Sequence, residues 1–171
     1  MRYVMRYWKP ILALVLADQL IKLVVAGFFP DANAAILPGL VYFRPVLNTN
    51  LSWVGNFVPF LRQPALILSI NLLAIAAYIT GYGFYRFKRP VPGKWANGVF
   101  IAGLAAALCS LIDKVFWGGS LDYIQLKGFF TFDLKDCLNS AALAVFLVLA
   151  LRHGDEVSLS EYLRFCLRRR P

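Results

Sequence analysis

Residues 95–117 read WANGVFIAGLAAALCSLIDKVFW. As a helix rising about 1.5 Å per residue, this run is long enough to cross about 30 Å of hydrocarbon. Gly98, Ala102, Ala106 and Cys109 recur at intervals of 4, 4 and 3, and Asp113 follows four residues later. Small residues on one helix face let backbones approach closely in lipid. That face, and Asp113 with it, is therefore expected to turn into a helical bundle. Asp113 then lies about 28 Å along from Lys94, close to one membrane face.

Three further runs have the same character: 11–29, 65–87 and 136–151. The last is short, and Phe129 to Phe132 or a protein-lined mouth must make up the difference. Across the 171 residues, 60% are apolar and 16% charged, with a mean hydropathy of +0.63. Typical globular domains carry about 25% charged residues, so lipid is the expected solvent. The fold class is an all-α membrane protein of four transmembrane helices, forming one domain over residues 1–171.

Net charge is +9, but the basic residues flank apolar runs instead of forming a stripe interleaved with aromatics. This placement argues against a nucleic-acid partner and for membrane topology. Arg2, Arg6 and Lys9 precede the first run. Arg86, Lys88, Arg89 and Lys94 join the second to the third, and Arg152, Arg164, Arg168, Arg169 and Arg170 follow the fourth. Loops 30–64 and 118–135 hold only Arg44, Arg62, Lys127 and Lys135. Positively charged loops stay on the cytoplasmic side, which puts both termini in the cytoplasm. Residues 1–34 also have the outline of a cleaved signal peptide, with Ala32-Asn33-Ala34 as the small-residue site. Asp18, Gln19 and Lys22 inside the apolar core argue against it.

Loop 30–64 contains Val41–Arg44 and Leu51–Val54, which read as short strands punctuated by Pro38, Gly39, Pro45, Gly55 and Pro59. A small β-rich cap on the outer surface is expected there. Residues 155–171 form a basic tail with Ser158 and Glu161 at capping-box spacing. Its apolar face is Leu159, Tyr162, Leu163, Cys166 and Leu167, opposite Arg164 and Arg168, as in an amphipathic helix on the anionic inner leaflet.

Ionisable residues within membrane spans are costly and face a bundle interior. Asp18 and Lys22 are four apart and pair on one helix face. Asp122, after Gly118 and Gly119 end or bend the third helix, and Asp136, at the start of the fourth, meet at one membrane level by topology. Two carboxylates in a partly dry site do not both ionise easily, so one keeps a proton while the other acts as base. Hydrolysis by a water nucleophile needs this arrangement. Spacing alone leaves helix caps and an ion path as alternatives. Single His153 excludes a multi-histidine metal site, and Cys109, Cys137 and Cys166 give no disulfide framework. Neither metal nor cofactor is expected.

Motifs sharpen this. Asp18-Gln19-Leu20-Ile21-Lys22 is similar to the D-Q-x-x-K of the bacterial lipoprotein signal peptidases, also called signal peptidase II, and Asn48-Thr49 to the start of their N-T-G-A-A-F stretch. Ser110 to Ile124 is similar to N-L-x-D-R-x-x-x-G-x-V-x-D-F-I, and Phe132–Asp136 to F-N-x-A-D. The resemblance covers residues 11 to about 150. It implies an intramembrane aspartyl endopeptidase with Asp122 and Asp136 as catalytic dyad, Asn48 lining the site, and Ser110, Asp113, Lys114, Asp18, Lys22 and Asp133 in supporting places. It also implies partners: membrane lipids and a diacylglyceryl-modified prolipoprotein, cut before its lipidated Cys at the bacterial inner membrane. Departures are Ser110 for Asn, Lys114 for Arg, Asn50 for Gly, Leu51-Ser52-Trp53 for A-A-F, Asp133 for Asn and Lys135 for Ala.

Lys114 is expected to pair with Asp18 or Asp113. Asp133 is expected either to couple to the dyad or to cap the fourth helix. Lys135 is expected to point about 100° away from Asp136 and compensate only partly. Among rival chemistries, Cys137 and His153 lie about 24 Å apart on one helix. Ser110 and Lys114 share a face as a Ser–Lys pair would. Outside peptidase chemistry, a relative that binds lipidated peptides or scaffolds the membrane, and a small transporter, fit the same charges.

Overall fold

In a computed structural model, described for residues 2–49, 63–153 and 158–167, five helices and one small sheet are formed. Helix α1 runs Arg2–Phe28, α2 Pro64–Lys88, α3 Lys94–Ile112, α4 Leu134–His153 and α5 Leu159–Leu167. The first four each contain an apolar window long enough to cross a membrane. Helix α3 sits centrally, packed by α1, α2 and α4. Its buried face is Phe100, Gly103 to Ala107 and Cys109, joined to Ile11 and Val15 of α1 and Tyr82 of α2. Of the expected small-residue stripe, Ala106 and Cys109 are buried, but Gly98 is exposed and Ala102 only half-buried. The reason is helical phase: at the start of α3 the buried side is that of Ala96 and Phe100, and Gly98 and Ala102 lie round from it. The need for a small residue is sharpest at Gly103, where a Cβ would overlap the Tyr78 ring.

The distribution of polarity is inverted relative to a water-soluble bundle. On α1, Asp18 and Lys22 are fully buried, while Leu16, Leu20 and Leu23 are exposed. Apolar side chains can face outward only where the solvent is hydrocarbon, and buried charge is tolerated only where it is paired.

The sheet has four antiparallel strands in the order β1-β2-β3-β4: Ala34–Leu37, Val41–Asn48, Ser120–Leu126 and Thr131–Phe132. It is not confined to loop 30–64, because the segment after α3, read as a connecting loop, supplies two strands. The expected strand at 51–54 lies outside the described residues. Gly39 and Gly128, at φ 84° and 80°, make the two tight turns. Pairing of β2 with β3 runs Phe43↔Ile124, then shifts register and resumes at Val46↔Asp122. Pro45 falls in that gap, where it has no N–H to give the ladder. Packing of Leu121 and Tyr123 on Val25 fastens the sheet to the end of α1.

Helix α5 turns back onto α2. Tyr162 and Phe165 pack on Phe84, the Tyr162 and Thr80 hydroxyls lie 2.7 Å apart, and Lys88 pairs with Glu161 at 2.8 Å. The Ser158 hydroxyl accepts from the Glu161 amide at 3.4 Å, as the spacing predicted. Leu159, Leu163 and Leu167 remain exposed.

Candidate active site

Four elements converge where α3 ends and α4 begins. After Ile112, helix α3 widens into a single π-helical turn, Asp113–Trp117, closed by Gly118 at φ 65°. Such a turn admits one extra residue and shifts the helical phase of its later residues. Asp113, at the start of the turn with its amide still bonded to the Cys109 carbonyl, reaches Lys22 of α1, whereas Lys114, about 100° further round the helix, lines the cleft between α2, α3 and α4. Next comes Gly119, where a Cβ would stand 2.6 Å from the Asn48 carbonyl oxygen. Only glycine fits, and this contact seats β3 so that Ser120 lies opposite Asn48 in the ladder.

The start of α4 is fixed entirely by side chains. The first-turn amides of a helix have no partners within it. Here the Leu134 amide donates to the Tyr123 hydroxyl at 3.2 Å, Lys135 to Asp18 Oδ1 at 3.1 Å, and Asp136 to Asp133 Oδ1 at 3.1 Å. Asp136 Oδ2 in turn accepts from the Asp133 amide at 3.3 Å. Asp133 and Asp136 thus form a reciprocal capping box, with aspartate in both places.

Two lysine ammonium groups hold the carboxylates together. Lys22 Nζ lies 2.8 Å from Asp18, 2.6 Å from Asp113 and 2.7 Å from Asp133, all of them buried. Lys135 Nζ lies 2.5 Å from Asp133, 3.2 Å from Asp113, 3.6 Å from Asp122 and 4.0 Å from Asp136. One oxygen from each of Asp122, Asp133 and Asp136 lies within 4.8 Å of the others, and the same holds for Asp18, Asp113 and Asp133. Both clusters are spaced as around a cation, and in each the cation is a lysine.

Electrostatics divides the carboxylates. Burial pushes the Asp133 carboxyl up, but Lys135 and Lys22 outweigh it and hold Asp133 below the ordinary carboxylate range. Asp122 is raised, because its burial outweighs the pull of Lys135 and of Ser120, which donates to Oδ1 at 2.5 Å. Tyr123 is pushed up to about 12 by burial and by Asp133. Asp136 is the open member, its side chain 47% exposed. It lines a cleft of about 250 Å³ between α2, α3 and α4, together with Lys114, Ser110 and Asn71. Asn71 is buried, and its Oδ1 has no hydrogen-bond partner among the described residues.

The expected site residues therefore fall into two groups. Asp18, Lys22, Asp113, Asp122, Asp133 and Asp136 come together, with Asn48 at the adjoining end of β2. Ser110 and Lys114 form a separate pair: Lys114 Nζ donates to the Ser110 hydroxyl, and to the Ser110 carbonyl at 3.2 Å. The expected pairing of Lys114 with Asp18 or Asp113 is not made. Lys114 stands about 100° round the helix from Asp113, on the face of Ser110, and Lys22 occupies the place beside both carboxylates. Lys135 does not point away either. Its long stem folds back over the helix start and carries the ammonium into the cluster.

Three participants escaped the sequence reading. Ser120 bonds Asp122 and accepts from Lys135 at 2.5 Å. Tyr123 caps α4. Gln19 bonds Asp18 at 3.0 Å and Asp113 at 3.1 Å, and accepts from the Trp117 indole at 3.1 Å. Had 120–126 been read as a strand, period two would have placed Ser120 on the face of Asp122.

Fold and site together define a multi-pass membrane enzyme of aspartyl-peptidase type. The family profile described as Signal peptidase (SPase) II matches residues 10–152. A lipoprotein signal peptidase of Dehalococcoides mccartyi (strain 195) is 32% identical over 129 residues, covering 72% of this chain and 76% of that protein. One from Syntrophomonas wolfei is 26% identical over 151 residues, covering 88% and 95%. A solved bacterial membrane enzyme, determined by the in meso method at 2.3 Å, shares the fold at a TM-score of 0.72 and 15% identity, covering 92% and 94%. The chain belongs to the signal peptidase II family, whose named members remove signal peptides from lipoproteins.

Proposed function

We propose that this chain cleaves diacylglyceryl-modified prolipoproteins immediately before the lipidated Cys, with Asp122 and Asp136 as the catalytic dyad. The carrying observation is that these two carboxylates, one from β3 and one from α4, bring oxygens within 4.8 Å of each other beside a cleft between membrane helices. A water between them attacks the scissile carbonyl carbon. Half-exposed Asp136 takes the water proton, and Asp122, whose burial favours its protonated form, donates to the carbonyl oxygen. Collapse of the tetrahedral species breaks the C–N bond, the amine leaves with a proton, and the dyad returns to its starting state. Asn48, opposite Ser120 in the β2–β3 ladder, lines the site in this reading.

Both termini are placed in the cytoplasm and the sheet outside, on the strength of the Lys and Arg distribution. Asn33→Cys and Lys127→Cys are expected to react with impermeant thiol reagents from outside intact cells; labelling only after lysis would reverse the topology. For the dyad, Asp122→Asn and Asp136→Asn are each expected to abolish cleavage of a lipidated peptide by the purified protein while melting as the wild type does. Substantial cleavage by either variant would remove that carboxylate from the dyad.

One observation favours a second reading. Lys135 lies within 4.0 Å of both dyad carboxylates, so the chain could retain lipidated peptides without cutting them. Mass analysis of peptide recovered from the wild-type protein separates the two, since only a peptidase returns shortened product.

A further inference from the structure

Two departures from the family pattern lie two residues apart and have opposite charge: Asp133 for Asn and Lys135 for Ala. In space they are partners at 2.5 Å. Asp133 is also held by Lys22 at 2.7 Å, so it is a fixed anchor and not a free carboxylate. The anchor brings the Lys135 ammonium to 3.6 Å from Asp122 and 4.0 Å from Asp136. Titratable groups gather here from the neighbouring elements: Asp18 and Lys22 from α1, Asp113 and Lys114 from the end of α3, Asp122 and the neutral Tyr123 from β3, Asp133 just before α4 and Asp136 in its first turn, with Tyr78 of α2 across the cleft.

We propose, building on the dyad assigned above, that Lys135 is a positioning residue that sets the pH range in which the dyad works. Its ammonium occupies the field that the two carboxylates would otherwise relieve by sharing a proton. The singly protonated pair that hydrolysis requires is thereby displaced toward lower pH. Asp133 fixes the ammonium and partly offsets it, so the two substitutions act in opposite senses.

A role for Lys135 as base toward Ser120 fails on the surroundings. The ammonium stands among Asp113, Asp122, Asp133 and Asp136, all within 4.0 Å. It donates to Ser120, and Ser120 donates onward to Asp122. Ser120 links the lysine to the dyad and is not itself activated.

The test is the pH profile of lipidated-peptide cleavage by wild type, Lys135→Ala, Asp133→Asn and the double variant in one detergent. The infrared carboxyl C=O band is titrated in parallel. An opposite charge within about 4–6 Å moves a carboxyl titration by about 1–3 units. Lys135→Ala is accordingly expected to move the active range toward alkaline pH by about that amount, and Asp133→Asn to move it toward acid. The double variant, which carries the family residues at both places, falls between. Lys135→Met serves if the alanine variant does not fold.

Superimposable profiles would overturn the proposal, as would single variants that shift in the same direction. So would a folded Lys135→Ala inactive at every pH and rescued by Lys135→Arg, which would make the lysine obligatory to the chemistry. If no protein cleaves at any pH, wild type included, the peptidase reading fails separately. The carboxyl band still decides the proposal: an unchanged band titration in Lys135→Ala and Lys135→Met rejects it, and an alkaline shift sustains it.

Discussion

Replacing Lys22 by methionine keeps the stem and removes the charge that three buried carboxylates share. Asp18, Asp113 and Asp133 would keep their places with oxygens within 4.8 Å of one another. Among the described residues, only Lys135 would remain to balance Asp113 and Asp133. Breaking a buried ion pair by removing one partner costs about 3–5 kcal/mol. Three acceptors at 2.6–2.8 Å put Lys22→Met at the upper part of that range, and proton uptake by the stranded carboxylates limits it from above. At about 4–5 kcal/mol and about 2–4 °C per kcal/mol for a chain of this size, the melting temperature is expected to fall by about 8–20 °C. Tryptophan fluorescence in detergent reports it, with Trp8, Trp53 and Trp95 replaced by phenylalanine in both proteins so that the signal is that of Trp117, whose indole is bonded to Gln19 within the same cluster. The loss has a definite pH sign. Asp133 is held low through Lys135 and Lys22 against the effect of burial. A depressed carboxyl contributes stability above its unfolded value and loses it as pH falls through its folded value. Without Lys22 that acid-side loss begins at higher pH, and the gap between variant and wild type narrows in acid. A variant melting within about 2 °C of wild type at neutral pH would refute the view that Lys22 is the counter-ion of this cluster.

Asp133→Ala removes both the α4 cap and an anchor charge, whereas Asp133→Asn keeps a capping oxygen. The alanine variant is expected to be the less stable by about 0.5–2 kcal/mol in denaturant melts. Gly119→Ala forces a methyl to 2.6 Å from the Asn48 carbonyl oxygen, so cleavage should fall together with the β2–β3 register, read by protection of the Ser120 amide from exchange. Asn71→Leu removes a buried acceptor that has no partner among the described residues; a melting temperature equal to or above wild type, with weakened peptide binding, is expected, and a lowered melting temperature would show that the amide supports the fold.

The helices were legible because three of the apolar runs are long and charged residues flank all four, the short last one included. The α4 start was placed at Asp136 and lies at Leu134, because Leu-Lys-Asp-Cys breaks the apolar pattern where capping side chains, not hydrophobicity, begin the helix. Most of the sheet was not legible. Strand β3 pairs with β2 across two intervening helices, and its Leu121-Asp122-Tyr123 segment is buried on both faces, which erases the alternation that marks a surface strand. In the site, Asp18 and Lys22 could be paired from their i, i+4 spacing alone. The same spacing put Lys114 beside Ser110, where it lies, but not its failure to reach Asp18 or Asp113, which Lys22 of another helix pre-empts. Lys135 was misplaced because helical phase fixes the direction of Cβ but not where a four-carbon stem ends.

The lysine and carboxylate pairs also bear on how the chain enters a membrane. Asp18 and Lys22 lie on α1, Asp113 and Lys114 are neighbours at the end of α3, and Asp133 and Lys135 stand together at the start of α4. Each segment brings an acid and a base within four residues, so all of these charges, though not that of Asp136, have a local counter-charge while the segment waits in lipid for the others. When α1, α3 and α4 meet, Lys22 keeps Asp18 and gains Asp113 and Asp133, and Lys135 keeps Asp133 and gains Asp113 and Asp122. Local pairing serves insertion, and the partners gained afterwards serve assembly.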